Sequence, residues 1–254
     1  MPWVETPSLS FTARHEASQA DDALAVLEDL EQHRERLEEL LPRMPQGVTV
    51  ILHDSPVQLL FANPMLAVTR RVASRAARRY MAGWYRTGEV HSLAPPALRE
   101  ISAGPDSERA LLLSPRRTYT ALALGTNNPL LPPPSRPGSL LRMLRDAWLL
   151  EGAAQHFSGQ VPFMRAAIAT RLRAGRVRFP PGARDAGLIG GTLFDLLQRE
   201  HGERACVRLA THPAANPRTA LEDAFSAPAS DIEAAWRGHL ERLATPAPDV
   251  SAVR

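Results

Sequence analysis

The stretch Val48-Thr49-Val50-Ile51-Leu52 is the most strand-like part of the sequence. Four of its five side chains branch at Cβ, which restricts their χ1 angles and favours an extended, pleated backbone. The next four residues, His53-Asp54-Ser55-Pro56, favour a turn, so the strand should end there. The stretch therefore predicts one buried strand, and the patterns on either side of it indicate the fold that contains it.

The residues around this strand alternate between strand and helix patterns. Residues 8–16 alternate apolar and polar side chains, as a half-buried strand does, and residues 83–93 predict another strand. Helices are predicted over residues 64–80 and 109–124, with a proline beginning or interrupting the second. Residues 21–41 predict an amphipathic helix whose apolar stripe consists of Leu24, Leu27, Leu30, Leu37 and Leu41.

Only helical patterns follow a proline-rich segment in the middle of the chain, and they cover residues 139–160, 188–201 and 230–243. Strands and helices followed by helices alone predict an α+β fold. We expect a single domain over residues 1–254. Its parts are a strand and helix region at 8–125, a proline-rich loop at 126–138, a helical region at 139–243 and a flexible tail at 244–254.

Composition narrows the class of protein. Of the 254 residues 44% are hydrophobic, but no stretch reaches the roughly 18 to 20 apolar residues of a membrane span. The N-terminus lacks the pattern of a secretory signal, and the lone Cys206 excludes an internal disulfide. These features predict a cytoplasmic protein with no membrane partner.

Every basic residue is an arginine, and the net charge is +3. One row, Arg70 to Arg79, is dense enough to suggest an acidic partner, but it lacks interleaved aromatic residues or a known binding motif. We expect this row to be a solvated helix face, and a nucleic-acid partner is therefore not expected.

Four pieces of the sequence, taken in order, resemble the gluzincin metallopeptidases, specifically the small bacterial peptidase domains of the thermolysin type. Glu151-Gly152-Ala153-Ala154-Gln155-His156-Phe157-Ser158-Gly159 is similar to their E-G-x-A-x-Y-x-S-G motif. The opening strand and helix with the run from Val48, the segment 194–202 and the segment 220–236 look like the family's other conserved pieces. The resemblance implies a zincin-like fold, with a small twisted sheet beside an active-site helix.

The zinc-binding motif of that family is missing. An H-E-x-x-H helix supplies two zinc ligands and a general base, and by position it should fall between His91 and Glu151. The segment 113–122 occupies that position, and it contains no histidine and no carboxylate. The sequence therefore predicts a non-catalytic relative, a pseudoenzyme that binds or scaffolds an unknown protein or peptide through the relict cleft.

Glu151 corresponds to the family's third zinc ligand. It shares one helix face with Leu144, Trp148 and Gln155, and the two apolar members indicate that this face points inward. A buried carboxylate needs a partner, because leaving it unpaired costs several kcal/mol.

Three kinds of partner for Glu151 remain open. A metal such as zinc could bind with rebuilt ligands from His91, His156 or His53, which would make the chain a peptidase with an atypical metal site. Arg116 or Arg117, in the position of the zinc-binding helix, could replace the lost cation and pair with Glu151. Backbone amides are the third candidate. We place His91, Gln155 and His156 with Glu151 in the cleft, between residues 89–93 and the Glu151 helix.

Overall fold

The computed structural model describes residues 3–133, 144–212 and 216–245, and these form an α+β fold. Five strands form one mixed sheet: β1 (Trp3–Pro7), β2 (Phe11–Glu16), β3 (Val48–His53), β4 (Gly83–Arg86) and β5 (Glu89–Leu93). The order across the sheet is β1-β2-β3-β5-β4. The three inner strands are parallel, and each outer strand is antiparallel to its neighbour.

The helices of the N-terminal half connect and cover the strands. α1 (Ala20–Glu38) links the parallel strands β2 and β3, as a crossover helix must. Between β3 and β4 lie α2 (Pro56–Ala62), α3 (Pro64–Val72) and α4 (Arg75–Arg79). After β5 come α5 (Pro95–Glu100), α6 (Pro105–Leu112) and α7 (Ser114–Asn127).

The C-terminal half is helical in the described residues. It contains α8 (Ala147–Phe157), α9 (Arg165–Arg173), α10 (Ala183–His201), α11 (Glu203–Thr211), α12 (Pro217–Phe225) and α13 (Ala229–Ala244). No helix in these parts of the chain is both long and apolar enough to cross a bilayer.

The central element is α7, which packs against the sheet on one side and α8 on the other. Twelve of its fourteen residues are buried, and its Tyr119 ring meets Phe11 of β2 edge to face, with 4.9 Å between ring centroids. The Thr120 hydroxyl lies 2.8 Å from Nε2 of His33 on α1. Pro115 is in the first turn, where its missing N–H removes no helical hydrogen bond, so it begins the helix.

Four sequence predictions need correction. Residues 83–93 are a hairpin of β4 and β5, because Gly88 turns the chain with φ of +75°. Residues 8–16 contain the turn before β2 as well as β2 itself, and residues 64–80 divide into α3 and α4. Leu24 is 54% exposed, whereas the other four leucines of the predicted α1 stripe are buried.

The predicted region boundaries are only partly within the described residues. α7 continues to Asn127, so the proline-rich loop begins later than residue 126. Residues 134–138 of that loop, residues 139–143 of the predicted helix and residues 246–254 of the predicted tail lie outside the described residues.

Helices α8 and α10 approach closely where each has a glycine. A Cβ placed on Gly152 would lie 2.6 Å from the carbonyl oxygen of Gly190, and one on Gly190 would lie 3.0 Å from the Gly152 backbone. Gln155 reinforces the contact, because its amide accepts from Gly191 N–H at 2.8 Å and donates to the Ala186 carbonyl at 3.2 Å. The crossing fixes α8, and with it Glu151, against α10.

We expect Gly152→Ala to lower the free energy of unfolding by about 2 kcal/mol, because the new methyl group must push two backbones apart. The control is Gly187→Ala on α10, where a Cβ has open space around it. That variant should be as stable as the unmodified protein or more stable by about 0.5 kcal/mol, since alanine has a higher helix propensity than glycine. Urea unfolding followed by circular dichroism measures both, and equal effects would refute the tight crossing.

Candidate functional site

The Glu151 carboxylate pairs with the guanidinium of Arg117. Arg117 on α7 donates from Nη2 to Glu151 Oε2 on α8, and from Nη1 to the Tyr80 carbonyl at 2.8 Å. The Arg117 side chain is 8% exposed and that of Glu151 is 32% exposed. The position predicted to hold a zinc ligand therefore contacts a buried cation supplied by the chain itself.

The neighbouring arginine has a different partner. Arg116 donates to the carboxylate of Asp29 on α1, at 2.6 Å from its Nε atom. Successive helix residues point about 100° apart, so one arginine faces α1 while the next faces α8. Of the two arginines that the sequence proposed for Glu151, the structure brings only Arg117 to it.

A cavity of about 80 Å³ lies beside this ion pair. Its walls come from β4, the end of α3, α7, α8 and the start of α10. Most of the residues that line it are apolar, and only a few polar side chains reach it. The lining includes Val72, Gly83, Trp84, Tyr85, Leu144 and Leu150.

Tyr85 faces the ion pair from the sheet. Burial raises the pKa of its phenol, the Glu151 carboxylate raises it further, and the Arg117 guanidinium opposes both effects. The phenol is therefore neutral near pH 7, and it keeps a proton that it can donate. Because both charged groups act on its phenol, we include Tyr85 as a third member of the site.

The strand β4 forms an edge of the sheet with its other side unpaired by any described strand. Leu93 N–H donates to the Ala82 carbonyl at 3.0 Å, and hydrogen-bonded pairs alternate along an antiparallel ladder. From the register, Trp84 pairs with His91 in this way, whereas Gly83 and Tyr85 direct their backbone N–H and C=O groups away from β5.

This edge strand lies close to α7. A Cβ on Gly83 would be 2.5 Å from Thr118 Oγ1, and that hydroxyl donates to the Ser114 carbonyl at 2.7 Å. The absence of a side chain at Gly83 lets the strand approach the helix that carries Arg117. The free edge and the ion pair therefore belong to the same cavity wall.

His91 is on the other face of the sheet. Tyr85 is directly opposite Val90, whereas His91 is directly opposite Trp84, so the backbone directs the side chains of His91 and Tyr85 to opposite faces of the sheet. His91 Nδ1 lies 3.1 Å from His53 Nε2, and its Nε2 lies 3.1 Å from Glu89 Oε2. Burial lowers the pKa of His91, and it lowers the pKa of His53 to about 4.

The predicted cleft residues are therefore separated. The sheet lies between His91 and Glu151, and β5 is paired on both sides, so residues 89–93 offer no free edge. Gln155 is buried and clamps α8 to α10. His156 packs against Phe157 and Phe194, and burial lowers its pKa to about 4. Neither Gln155 nor His156 lines the cavity.

The residues around Glu151 do not fit the zinc that the resemblance implies. Within the described ranges, no three or more side chains of His, Cys, Asp or Glu are grouped to hold a metal ion. Zinc needs neutral imidazole, thiolate or carboxylate ligands, and the group that contacts Glu151 is a permanent cation.

The sequence reasoning did not identify Tyr85, Trp84 and Gly83 as site residues. The Thr87-Gly88 pair between two strand-like runs was the available signal, because it indicates a hairpin whose first strand could form an edge. Comparison of the chain with protein-family models and with curated protein sequences gave no match.

The two arginine pairs of α7 provide a matched test of burial. Glu151→Gln should cost about 2 kcal/mol of unfolding free energy, because the Arg117 cation stays buried without its counter-charge. Asp29→Asn should cost less than about 1 kcal/mol, because the Arg116 side chain is 27% exposed and water can solvate it. Denaturant unfolding measures both, and an equal or larger loss for Asp29→Asn would contradict this account.

Proposed function

We propose that this chain is a non-catalytic, zincin-like protein that binds an extended peptide segment along β4. The observation that carries the proposal is the Arg117–Glu151 ion pair beside a free sheet edge. The guanidinium is a fixed cation in place of the metal centre that the sequence resemblance implies. The free edge of β4 can bind another strand.

The chemistry of the ion pair supports a binding role. Zinc hydrolysis needs an open metal position and a general base beside it. A guanidinium has no lone pair to accept a proton and stays charged at physiological pH, so Arg117 cannot act as that base. The raised pKa of Tyr85 keeps its phenol neutral, so it is also a poor base.

The edge of β4 supports a peptide as the ligand. An extended peptide can add a strand to a sheet edge, with affinity from main-chain hydrogen bonds and specificity from alternate side-chain pockets. Gly83 and Tyr85 offer the hydrogen-bonding groups, and the cavity between β4 and α8 offers the pocket. Its apolar lining, with Leu144 and Leu150, favours an apolar side chain of the peptide.

The alternative is a metal-dependent peptidase with an atypical site that uses Glu151 and His91. The positions of these residues on opposite sides of the sheet argue against it. A cytoplasmic location stays part of the proposal, because the only cysteine is buried and such a chain needs no oxidising compartment.

The metal content of the purified protein separates the two functions. Protein prepared without a His tag or chelator should contain far less than one zinc per chain by elemental mass spectrometry. It should remain so after zinc addition and desalting. Near-stoichiometric zinc that is lost in both Glu151→Ala and His91→Ala would establish the alternative instead.

Peptides selected from a displayed random library on the immobilised protein should bind along β4. Tyr85→Pro removes an N–H that points away from β5, so we expect it to abolish binding while the β4–β5 ladder remains. Tyr85→Phe keeps that N–H and should retain binding. Fluorescence anisotropy of a labelled peptide measures affinity, and circular dichroism checks folding.

Hydrogen exchange on the unmodified protein provides a second measurement. A bound peptide should slow exchange of the Gly83 and Tyr85 amides. The proposed peptide site would be refuted if the selection gave no binders. It would also be refuted if a peptide bound, but Tyr85→Pro did not weaken its binding and the β4 amides were not protected.

A further inference from the structure

An apolar stripe is exposed on the surface of α2 and α3. It consists of five side chains spaced four, four, three and four residues apart, which places them on one side of their helices. Leu59 and Leu66, on the opposite side, are fully buried. Phe61 is 83% exposed, and the complete stripe is Val57, Phe61, Met65, Val68 and Val72.

The segment that carries this stripe has only positive charges. Residues 55–88 contain six arginines and no Asp or Glu, which gives a charge of +6 in a chain whose net charge is +3. The rest of the chain therefore has a net charge of −3. Arg86 pairs with Glu89, but within the described ranges none of the arginines between Arg70 and Arg79 forms an ion pair.

A basic groove of about 740 Å³ lies beside α4, and the first residue of its lining, Ser74, follows the end of the stripe by two positions. Arg75 and Arg79 of α4 line it together with Arg184 at the start of α10. Asp106 is the one carboxylate that lines the groove, and it lies 3.8 Å from Arg109. The groove thus has three exposed guanidinium groups, and its volume can accommodate a phosphate-containing headgroup.

We propose that the surface formed by α2, α3 and α4 docks on a bilayer that contains anionic lipids. The apolar stripe enters the boundary between headgroups and acyl chains, and the surrounding arginines contact phosphates. The groove lined by Arg75, Arg79 and Arg184 accommodates a headgroup. This inference departs from the sequence-based expectation of no membrane partner, and it does not depend on the proposed peptide site.

Charge and shape argue against other occupants. A second copy of the chain on this surface would bring the same arginines face to face, because a two-fold interface pairs a patch with itself. A nucleic acid would be attracted by the arginines, but it would leave the stripe without an apolar partner. α2 and α3 contain seven and nine residues, so each is far too short to span a bilayer and must lie along its surface.

Sedimentation with lipid vesicles tests the proposal. The protein should partition onto vesicles of phosphatidylcholine mixed with phosphatidylglycerol, less so at high salt, and only weakly onto pure phosphatidylcholine. Phe61→Ser should weaken partitioning at least about tenfold. Each of Arg71→Glu and Arg75→Glu should weaken it by at least about fivefold.

Two variants serve as controls of the same chemistry elsewhere. Leu9→Ser removes an apolar side chain that is 95% exposed at the β1–β2 turn, and Arg204→Glu reverses a charge on α11. We expect Leu9→Ser to leave vesicle binding unchanged. Arg204→Glu should change vesicle binding by less than about twofold, because salt screens a charge that is far from the docking surface. All of the substituted side chains are exposed, so the variants should fold.

Insertion of the stripe can be observed directly. In Phe61→Cys the new thiol is exposed, whereas Cys206 is buried and its pKa is raised to about 12, so a thiol-reactive dye should label position 61 alone. An environment-sensitive dye there should shift to the blue with anionic vesicles. The proposal would be overturned if the protein did not partition onto vesicles, or if Phe61→Ser partitioned as well as the unmodified protein. Self-association that Phe61→Ser abolishes, or nucleic-acid binding without vesicle binding, would also overturn it.

Discussion

A buried cation on a buried helix is the constraint on which the site depends. The Arg117 guanidinium is almost fully removed from water, so folding must supply acceptors for it. One acceptor is the Tyr80 carbonyl, just before the hairpin of β4 and β5, and the other is Glu151 on α8. Satisfying one charge thus positions the edge strand, the central helix and the helical half of the chain relative to one another. The close crossing at Gly152 then holds the carboxylate in place.

Much of the fold could be predicted from the sequence because local patterns determine it. β-Branched residues mark β3, a leucine stripe marks α1, and the order of the patterns indicates the α+β class. The sequence also indicated an arginine as a possible partner for Glu151. It could not distinguish Arg116 from Arg117, because the choice depends on which face of α7 meets α1, and this is a property of tertiary packing.

Strand register explains the errors in the predicted site. Adjacent residues of a strand point to opposite faces, so a shift of one position decides whether a side chain enters the cleft. The resemblance made residues 89–93 the strand that borders the cleft, and this expectation placed His91 beside Glu151. The turn at Gly88 instead places Tyr85 toward Glu151 and His91 on the far face beside His53. Gln155 and His156 follow Glu151 on the same helix, but they pack against α10 and Phe194 respectively.

A site built around a guanidinium has an electrostatic character that its surroundings scarcely alter. A metal centre gains or loses its charge with metal supply, with chelators and with the ionisation of its bound water. The charge of Arg117 is covalently part of the chain and persists across the physiological pH range. The cavity beside β4 therefore presents the same field in metal-poor and metal-rich surroundings.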